Sequence, residues 1–497
     1  MLEARRRSLT LILCCLAQFM VILDVSIVNV ALPSIRADLG FSAAGLQWVV
    51  NGYTLAFAGF LLLGGRAADL VGRRVVFIAG MAVFGTASLV GGFAQDDATL
   101  VAARAAQGLG GAIVAPATLS ILTTTFTEGS DRNRALGLWA AMGGAGGAAG
   151  ALLGGVLTQW LSWRWILFIN VPIGLGAALV AARVLLPGRG KRTARHFDVA
   201  GAITVTAGLV VLTYGIVGSE QHGWGSARTL SLLAAGAALL AGFTFIEGRL
   251  AAAPLVPLGI FGSRQLTGAN LVVFLMGSAA FAMWYFVSLY LQEVLRFSPI
   301  EAGLSFLPMT LAIVACSQIA SRLTGRIGAG RVLTVGMSSI GVGMLLFAQV
   351  RVDGTYLVDV LVPSLLAAMG IGFSFVPVTI AATAGVAGPE AGLASGLVNT
   401  SRQVGGSLGL ALLATFATQR SADLAGSLDR AAALTEGFQR AFLLGGVLAL
   451  VGAAAAAGLL SRWPAAQPAQ AQVAGPGSGV GSLEGAPTRT SKRGGAL

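Results

Sequence analysis

Charge is the scarcest commodity in this chain of 497 residues: only 10% of them are Asp, Glu, Lys or Arg. A soluble domain carries about a quarter. That deficit excludes an ordinary water-soluble fold, because there is too little charged surface to cover an apolar core of this size. Lysine occurs twice, at Lys191 and Lys492, so nearly all the basic charge is arginine. Histidine also occurs twice, at His196 and His222, both in connecting segments without ligand spacing. A histidine-built metal centre is therefore excluded. Cys14, Cys15 and Cys316 lie in apolar stretches and offer no disulfide framework or zinc pattern. They read as small apolar side chains. No GxxxxGK[ST] loop is present, which argues against ATP drive. No nucleophile–base pair suggests itself, which argues against an enzyme.

What is abundant is apolar: 56% of the chain is hydrophobic and 70 residues are glycine. Mean hydropathy is +0.82. Small residues suit membrane helices, since they let backbones approach where no hydrophobic effect pulls helices together. Arg5, Arg6 and Arg7 followed by an apolar run imitate a signal peptide. The run continues to about Leu32 and lacks a small-residue cleavage pattern, so it is expected to remain as the first helix.

A membrane span needs about 20 mainly apolar residues. Fourteen such stretches are found, at 8–32, 45–65, 74–95, 98–125, 134–158, 165–186, 198–218, 228–247, 266–292, 301–321, 331–350, 356–383, 391–416 and 438–461. The expectation is an all-α membrane protein with 14 transmembrane helices. The net charge of +12 then marks loops facing the cytoplasm and not a nucleic-acid partner. With the N-terminus inside, 22 basic residues fall on the cytoplasmic side and eight outside, while Arg104 and Arg402 fall within spans. That asymmetry predicts a multi-pass protein of the cell membrane with both termini cytoplasmic.

The spans divide as six, two and six. GRAADLVGRR (65–74) follows the second span, and a looser GRIGAGR (325–331) follows the second span of the last six. Such echoes point to two related six-helix bundles, at 1–186 and 251–461, with an inserted two-helix linker at 187–250. Residues 462–497 are rich in Pro, Gly, Ala and Ser and read as a disordered cytoplasmic tail.

Few polar groups interrupt the spans. Asp24 is the only acidic residue placed well inside one; Glu247, Asp359 and Glu390 fall at span ends. An intramembrane carboxylate is costly and implies function, the alternative being a structural hydrogen bond to a neighbouring helix. Arg104 and Gln107 sit in RAAQGLGGA (104–112) of the fourth span. Arg104 lies about six residues, roughly 9 Å, below the outer end of its span, and Asp24 about eight residues, roughly 12 Å, below its own. They pair if the first and fourth spans are neighbours; otherwise Arg104 snorkels outward. Asn399, Arg402 and Gln403 lie in GLASGLVNTSRQVGGSLG (392–409) of the thirteenth span, either lining a central cavity or packing between helices. Met276, Phe281, Trp284 and Tyr285 recur in the ninth span as an aromatic wall for flat ligands or as helix packing.

GRAADLVGRR resembles the loop that marks the major facilitator superfamily, with Ala67 and Leu70 at positions where Leu and Arg are usual. The resemblance implies a latch made by Gly65, Asp69, Gly72, Arg73 and Arg74 that holds the outward-facing state. Gly65 and Gly72 are expected to permit a tight turn, Asp69 to cap a helix start, and the arginines to pair with it or with carbonyls at a helix end. LDVSIVNVALPSI (23–35), with Asp24, Asn29, Ala31, Leu32 and Pro33, is similar to the first-helix signature of the 14-helix drug:proton antiporters. Arg104 and Gln107 match that family's proton-coupling pattern in the fourth span. Gly150, Gly154 and Gly155 match its antiporter helix, where Ala151 stands in place of proline; a small-residue packing face is the other reading. WRWILFINVPIG (163–174) is a further match.

The resemblance covers nearly all of 8–461. It implies alternating access, export of small amphiphilic drug-like molecules in exchange for protons, no cofactor beyond the proton gradient, and a monomer in the lipid bilayer. A proton-coupled uptake symporter of the same fold is the alternative, because fold does not set direction.

Overall fold

The computed structural model describes residues 2–126, 130–186, 198–384 and 391–460. Among these residues there is helix, turn and connection, with no strand. The region read as a tail, 462–497, and Lys191, His196 and Glu390 lie outside them.

Five long helices come first: α1 (Leu2–Leu39), α2 (Trp48–Leu70), α3 (Arg73–Gly92), α4 (Asp97–Thr125) and α5 (Ser130–Trp160). The sixth span is broken into α6 (Trp165–Phe168) and α7 (Asn170–Val184). Next come α8 (Val199–His222) and α9 (Ala227–Phe245), the latter closed by a π turn over Ile246–Leu250. The ninth span is α10 (Arg264–Leu289), again running into a π turn, Tyr290–Val294. The tenth is broken into α11 (Pro299–Ser305) and α12 (Leu307–Ile327). The rest are α13 (Ala329–Phe347), α14 (Val362–Thr383), α15 (Ala391–Leu424) and α16 (Arg430–Leu460).

These segments reproduce the expected order of fourteen spans. Among the described residues, thirteen are long and apolar enough to cross a membrane. α15 is not among them, although its 34 residues are length enough. It carries Asn399, Arg402 and Gln403, so polar groups that face protein lower its hydropathy. The helices also outrun the apolar stretches. α1 ends at Leu39 rather than near residue 32, because Arg36 and Asp38 continue the helix where the chain reaches water.

Helix ends follow local chemistry. Asp96 caps α4 by accepting from Thr99 N at 2.8 Å, and those hydrogen bonds hold its carboxyl below the usual range. Ser298 and Glu301 form a capping box that opens α11.

The first six spans pack mainly on one another: α1 on α5 and α4, α2 on α4, and α3 on α4 and α7. Their core includes Phe77, Met81 and Phe84. The last six do likewise, with α10 against α15 and α16, α13 against α14 and α16, and α12 against α14. Phe347 and Phe442 stack there, with centroids 4.9 Å apart. The inserted α8 and α9 pair with each other, and α8 rests on both α2 and α15. α9 is peripheral: 11% of its apolar window is buried against 67% for α10. It therefore presents its leucines and phenylalanines to lipid.

The backbone carries a repeat that sequence comparison caught only in part. Gly72 (φ 112°) and Gly328 (φ 86°) each open the third span of their group in a left-handed conformation. They belong to the two echoing loops. A second pair closes the first span of each group: Gly40 (φ 70°) and Arg296 (φ 62°). Their contexts, LGFSAAGL (39–46) and LRFSPIEAGL (295–304), align once the turn is seen.

Candidate functional site

The first site grows from Asp24. It lies on α1 with no exposure. Arg104 of α4 donates from Nη1 to Asp24 Oδ2 at 2.5 Å. Gln107, one turn further along α4, donates from Nε2 to Asp24 Oδ1 at 3.1 Å, and Asn170 at the start of α7 donates to the same oxygen at 2.9 Å. Arg104 also bonds Gln107 Oε1 at 3.0 Å and, through Nε, the Val49 carbonyl of α2 at 3.0 Å. Gln107 reaches Ser88 of α3 at 2.5 Å. The ring of Tyr53 on α2 lies 4.7 Å from the guanidinium.

Five of the first six spans thus converge on one carboxylate, and none of these side chains is more than 2% exposed. Arg104 does not snorkel: its 2% exposure places it inside the protein. Gln107 pairs with Arg104 because three residues bring side chains to one helix face. The arrangement is net neutral, as a buried charge pair must nearly be. Two groups beside it, Asn170 Oδ1 and the Tyr53 hydroxyl, are buried without a hydrogen-bond partner.

The fifth span supplies space rather than polar groups. A Cβ on Gly150 would lie 2.8 Å from the Leu23 carbonyl, and one on Gly154 2.8 Å from the Ile27 carbonyl. These two glycines let α5 press on the stretch of α1 that bears Asp24. Gly155 faces the other way, where a Cβ would lie 2.5 Å from the Pro299 carbonyl of α11. One helix thus seats α1 on one face and the second group of spans on another.

Asn399, Arg402 and Gln403 form a separate cluster on α15. Arg402 donates to Asn399 Oδ1 at 2.8 Å, and its guanidinium lies 5.2 Å from the Phe375 ring of α14. Gln403 is buried at 5% exposure. No bond among the described residues joins this cluster to Asp24, so the six residues grouped by sequence form two sites. Of the residues read as an aromatic wall, two are buried and two, Phe281 and Trp284, are half-buried. Tyr285 and Met276 are buried, Trp284 stacks on Phe306 at 5.1 Å, and the Phe281 ring lies against Gly406 of α15.

The GRAADLVGRR loop makes its tight turn at Gly72 alone. Gly65 lies within α2, beside Pro116 of α4, so its part in the turn is corrected. Arg74 donates to the Ala182 carbonyl and Arg6 to the Val184 carbonyl at 2.7 Å. Two cations therefore close the C-terminal end of α7. Arg73 is half-buried at the start of α3. The side chain of Asp69 lies outside what the structure describes.

Among the described residues, polar ties between spans of the two groups gather at one end. Ser288 bonds the Asn29 carbonyl at 2.5 Å, and Gln292 the Val30 carbonyl at 3.0 Å. Arg36 pairs with Glu293 at 3.1 Å, and Gln159 accepts from Ile300 N at 3.1 Å. Deeper in, Ser407 bonds Asn51 at 2.9 Å. All belong to the half of the protein that bears the 40–47 and 295–298 connections.

Sequence reasoning found Asp24, Arg104 and Gln107 because charge stands out in an apolar span. It missed Ser88, Tyr53 and Asn170, since such residues are common in helices and only neighbourhood gives them a role.

Thirteen apolar helices among the described residues, with a buried charge network between them, make this a multi-pass membrane protein. Residues 14–410 match the Major Facilitator Superfamily model, and the chain belongs to that superfamily. It is a transporter and not an enzyme. It is 46% identical to the cephamycin export protein of Amycolatopsis lactamdurans, over 82% of this chain and 84% of that one. It is 42% identical to the puromycin resistance protein of Streptomyces alboniger, over 84% and 83%. It is 35% identical to the tetracenomycin C resistance and export protein of Streptomyces glaucescens, over 84% and 77%. Among solved structures, a bacterial homologue of the human lysosomal transporter Spinster shares the fold with a TM-score of 0.65 at 16% identity, covering 92% of this chain and 99% of that one. The nucleoside transporter NupG does so with a TM-score of 0.66 at 12% identity, covering 91% and 99%.

Proposed function

We propose that this transporter exports antibiotic-like molecules in exchange for protons, with Asp24 as the proton carrier. The observation that carries the reading is the fully buried Asp24, held at once by Arg104, Gln107 and Asn170. Protonating it removes the charge that three donors on two other helices converge upon. Arg104 is then left as a buried cation without a counter-ion, a state on the order of 3 kcal/mol less stable than the pair. The helices relax by repacking, and that repacking is the coupling to alternating access. Relatives named for export of, or resistance to, three antibiotics support the substrate class. The matches at Gly150, Gly154 and Gly155 support antiport.

In this reading the two groups of six spans rock against each other about the site, and α8 and α9 ride on the seam. The arginine distribution supports cytoplasmic termini. The polar ties then close the outer end, and the protein acts as a monomer. Arg402, Asn399 and Gln403 contact substrate from α15. The loop of Asp69, Gly72, Arg73 and Arg74 latches the opposite conformation.

A susceptibility panel in an efflux-deficient host tests the function, followed by proton-driven uptake of the protected compounds into inverted vesicles. Raised tolerance, with uptake abolished by a protonophore, is expected. Uptake that survives collapse of the proton gradient refutes proton coupling. Accumulation of the compounds in whole cells indicates import instead.

A further inference from the structure

Two acidic side chains at the root of the inserted helix pair take no part in the network around Asp24. Asp198 caps α8, its Oδ1 accepting from Gly201 N at 2.7 Å. Glu247 lies in the π turn that closes α9, and its Oε2 accepts from Val256 N at 3.0 Å. Each carboxyl then has one oxygen left. Asp198 Oδ2 and Glu247 Oε1 are both buried and both lack a hydrogen-bond partner. They converge on Gly201, where a Cβ would collide with Asp198 Oδ2 and lie 2.9 Å from Glu247 Oε1. The residues are only 8% and 4% exposed.

Among the described residues, no cation forms an ion pair with either carboxylate. Ala202, Leu255 and Val256 are buried beside them. From α2, Arg66 donates to the Pro254 carbonyl at 3.3 Å, and its Nε is left without a partner. Arg249, on the same π turn as Glu247, is exposed.

Two ionised carboxylates held together away from water are destabilised twice, by burial and by mutual repulsion. One proton relieves both penalties. It turns one acid into a donor, and the resulting O–H···O bond satisfies both orphan oxygens at once. We propose that Asp198 and Glu247 hold one proton between them, forming a second proton-binding site outside the Asp24 network. Asp198 starts α8, and Glu247 holds the backbone of the connection that leads into α10. Binding the proton clasps these segments together, and releasing it leaves two charges in contact that push them apart.

The test needs no substrate. Full-length protein in lipid nanodiscs is stepped from neutral to alkaline pH, and infrared difference spectra record the carbonyl stretch of protonated carboxylic acids. The wild type is expected to lose a band that Glu247→Gln lacks and Asp198→Asn also lacks, each by one carboxyl per chain. Glu436→Gln, whose carboxylate pairs with Arg420 at the surface at 3.0 Å, should leave the band unchanged. A band of undiminished area in either Glu247→Gln or Asp198→Asn overturns the proposal, as does its absence from the wild type. If one variant fails to insert, the other decides.

Discussion

Asp24 of α1 and Arg104 of α4 meet at 2.5 Å, although eighty positions separate them in the chain. Neither side chain is more than 2% exposed. In that setting the two charges form a unit: each is tolerable only because the other is present. A structural ion pair and a proton-carrying one differ in what happens when both charges are removed together.

Asp24→Asn should abolish proton-coupled uptake into inverted vesicles while the protein still inserts. It should also lower stability by on the order of 3 kcal/mol, because Arg104 is stranded. Asp24→Asn with Arg104→Gln should recover much of that stability and none of the transport. Wild-type accumulation of substrate by either variant would show that Asp24 is structural only. Thermal unfolding in nanodiscs supplies the stability readout.

Glu293 lies between Arg36 of α1 and Arg430 of α16, at 3.1 and 3.4 Å. The pair with Arg36 is partly exposed, at 26% and 12%, so solvent limits it to about 1 kcal/mol or less. Glu293→Gln should therefore shift the balance between closed and open ends by no more than about fivefold. Spin labels at Ser42→Cys and Val352→Cys, in a background without the native cysteines, should report a larger population of long distances. An unchanged distance distribution would mean the pair does not help hold that end shut.

Asp69→Asn and Arg73→Ala should slow turnover about tenfold, an effect of ~1.4 kcal/mol on the conformational step. Substrate affinity should change little, because the Gly72 turn lies at the end of α2, far along the chain from the Asp24 cluster. Equilibrium binding measured beside vesicle transport separates the two quantities. Weakened affinity with normal turnover would contradict a latch.

Substrate charge gives a sharper test. Asp24 is already neutralised by Arg104, while Arg402 has a neutral partner in Asn399. A dication needs more than one free carboxylate near the midplane. Neutral and weakly anionic amphiphiles should thus be carried at least as well as cations in matched inverted-vesicle assays, and Arg402→Ala should reduce the anionic class most. A clear preference for dications would refute this.

The amino-acid sequence alone determined the class of protein. A chain with so little charge and fourteen apolar stretches has no stable option but helices in lipid, since backbone polar groups there must be satisfied within each segment. It also marked Asp24, Arg104 and Gln107, because charge inside such a stretch is costly enough to require a reason. Tertiary structure decided everything that depends on which helix faces which. It gave Asp24 its further partner Asn170 on α7, and it divided Asp24 from the Arg402 cluster. It moved Gly65 out of the turn, and it turned Glu247 from a span-end residue into a buried neighbour of Asp198. The physical reason is that hydropathy reports how far a residue lies along the membrane normal, whereas hydrogen bonds are made across it. An acidic residue near the end of a span reads as solvated until a neighbouring helix and a returning loop are seen to exclude water from it.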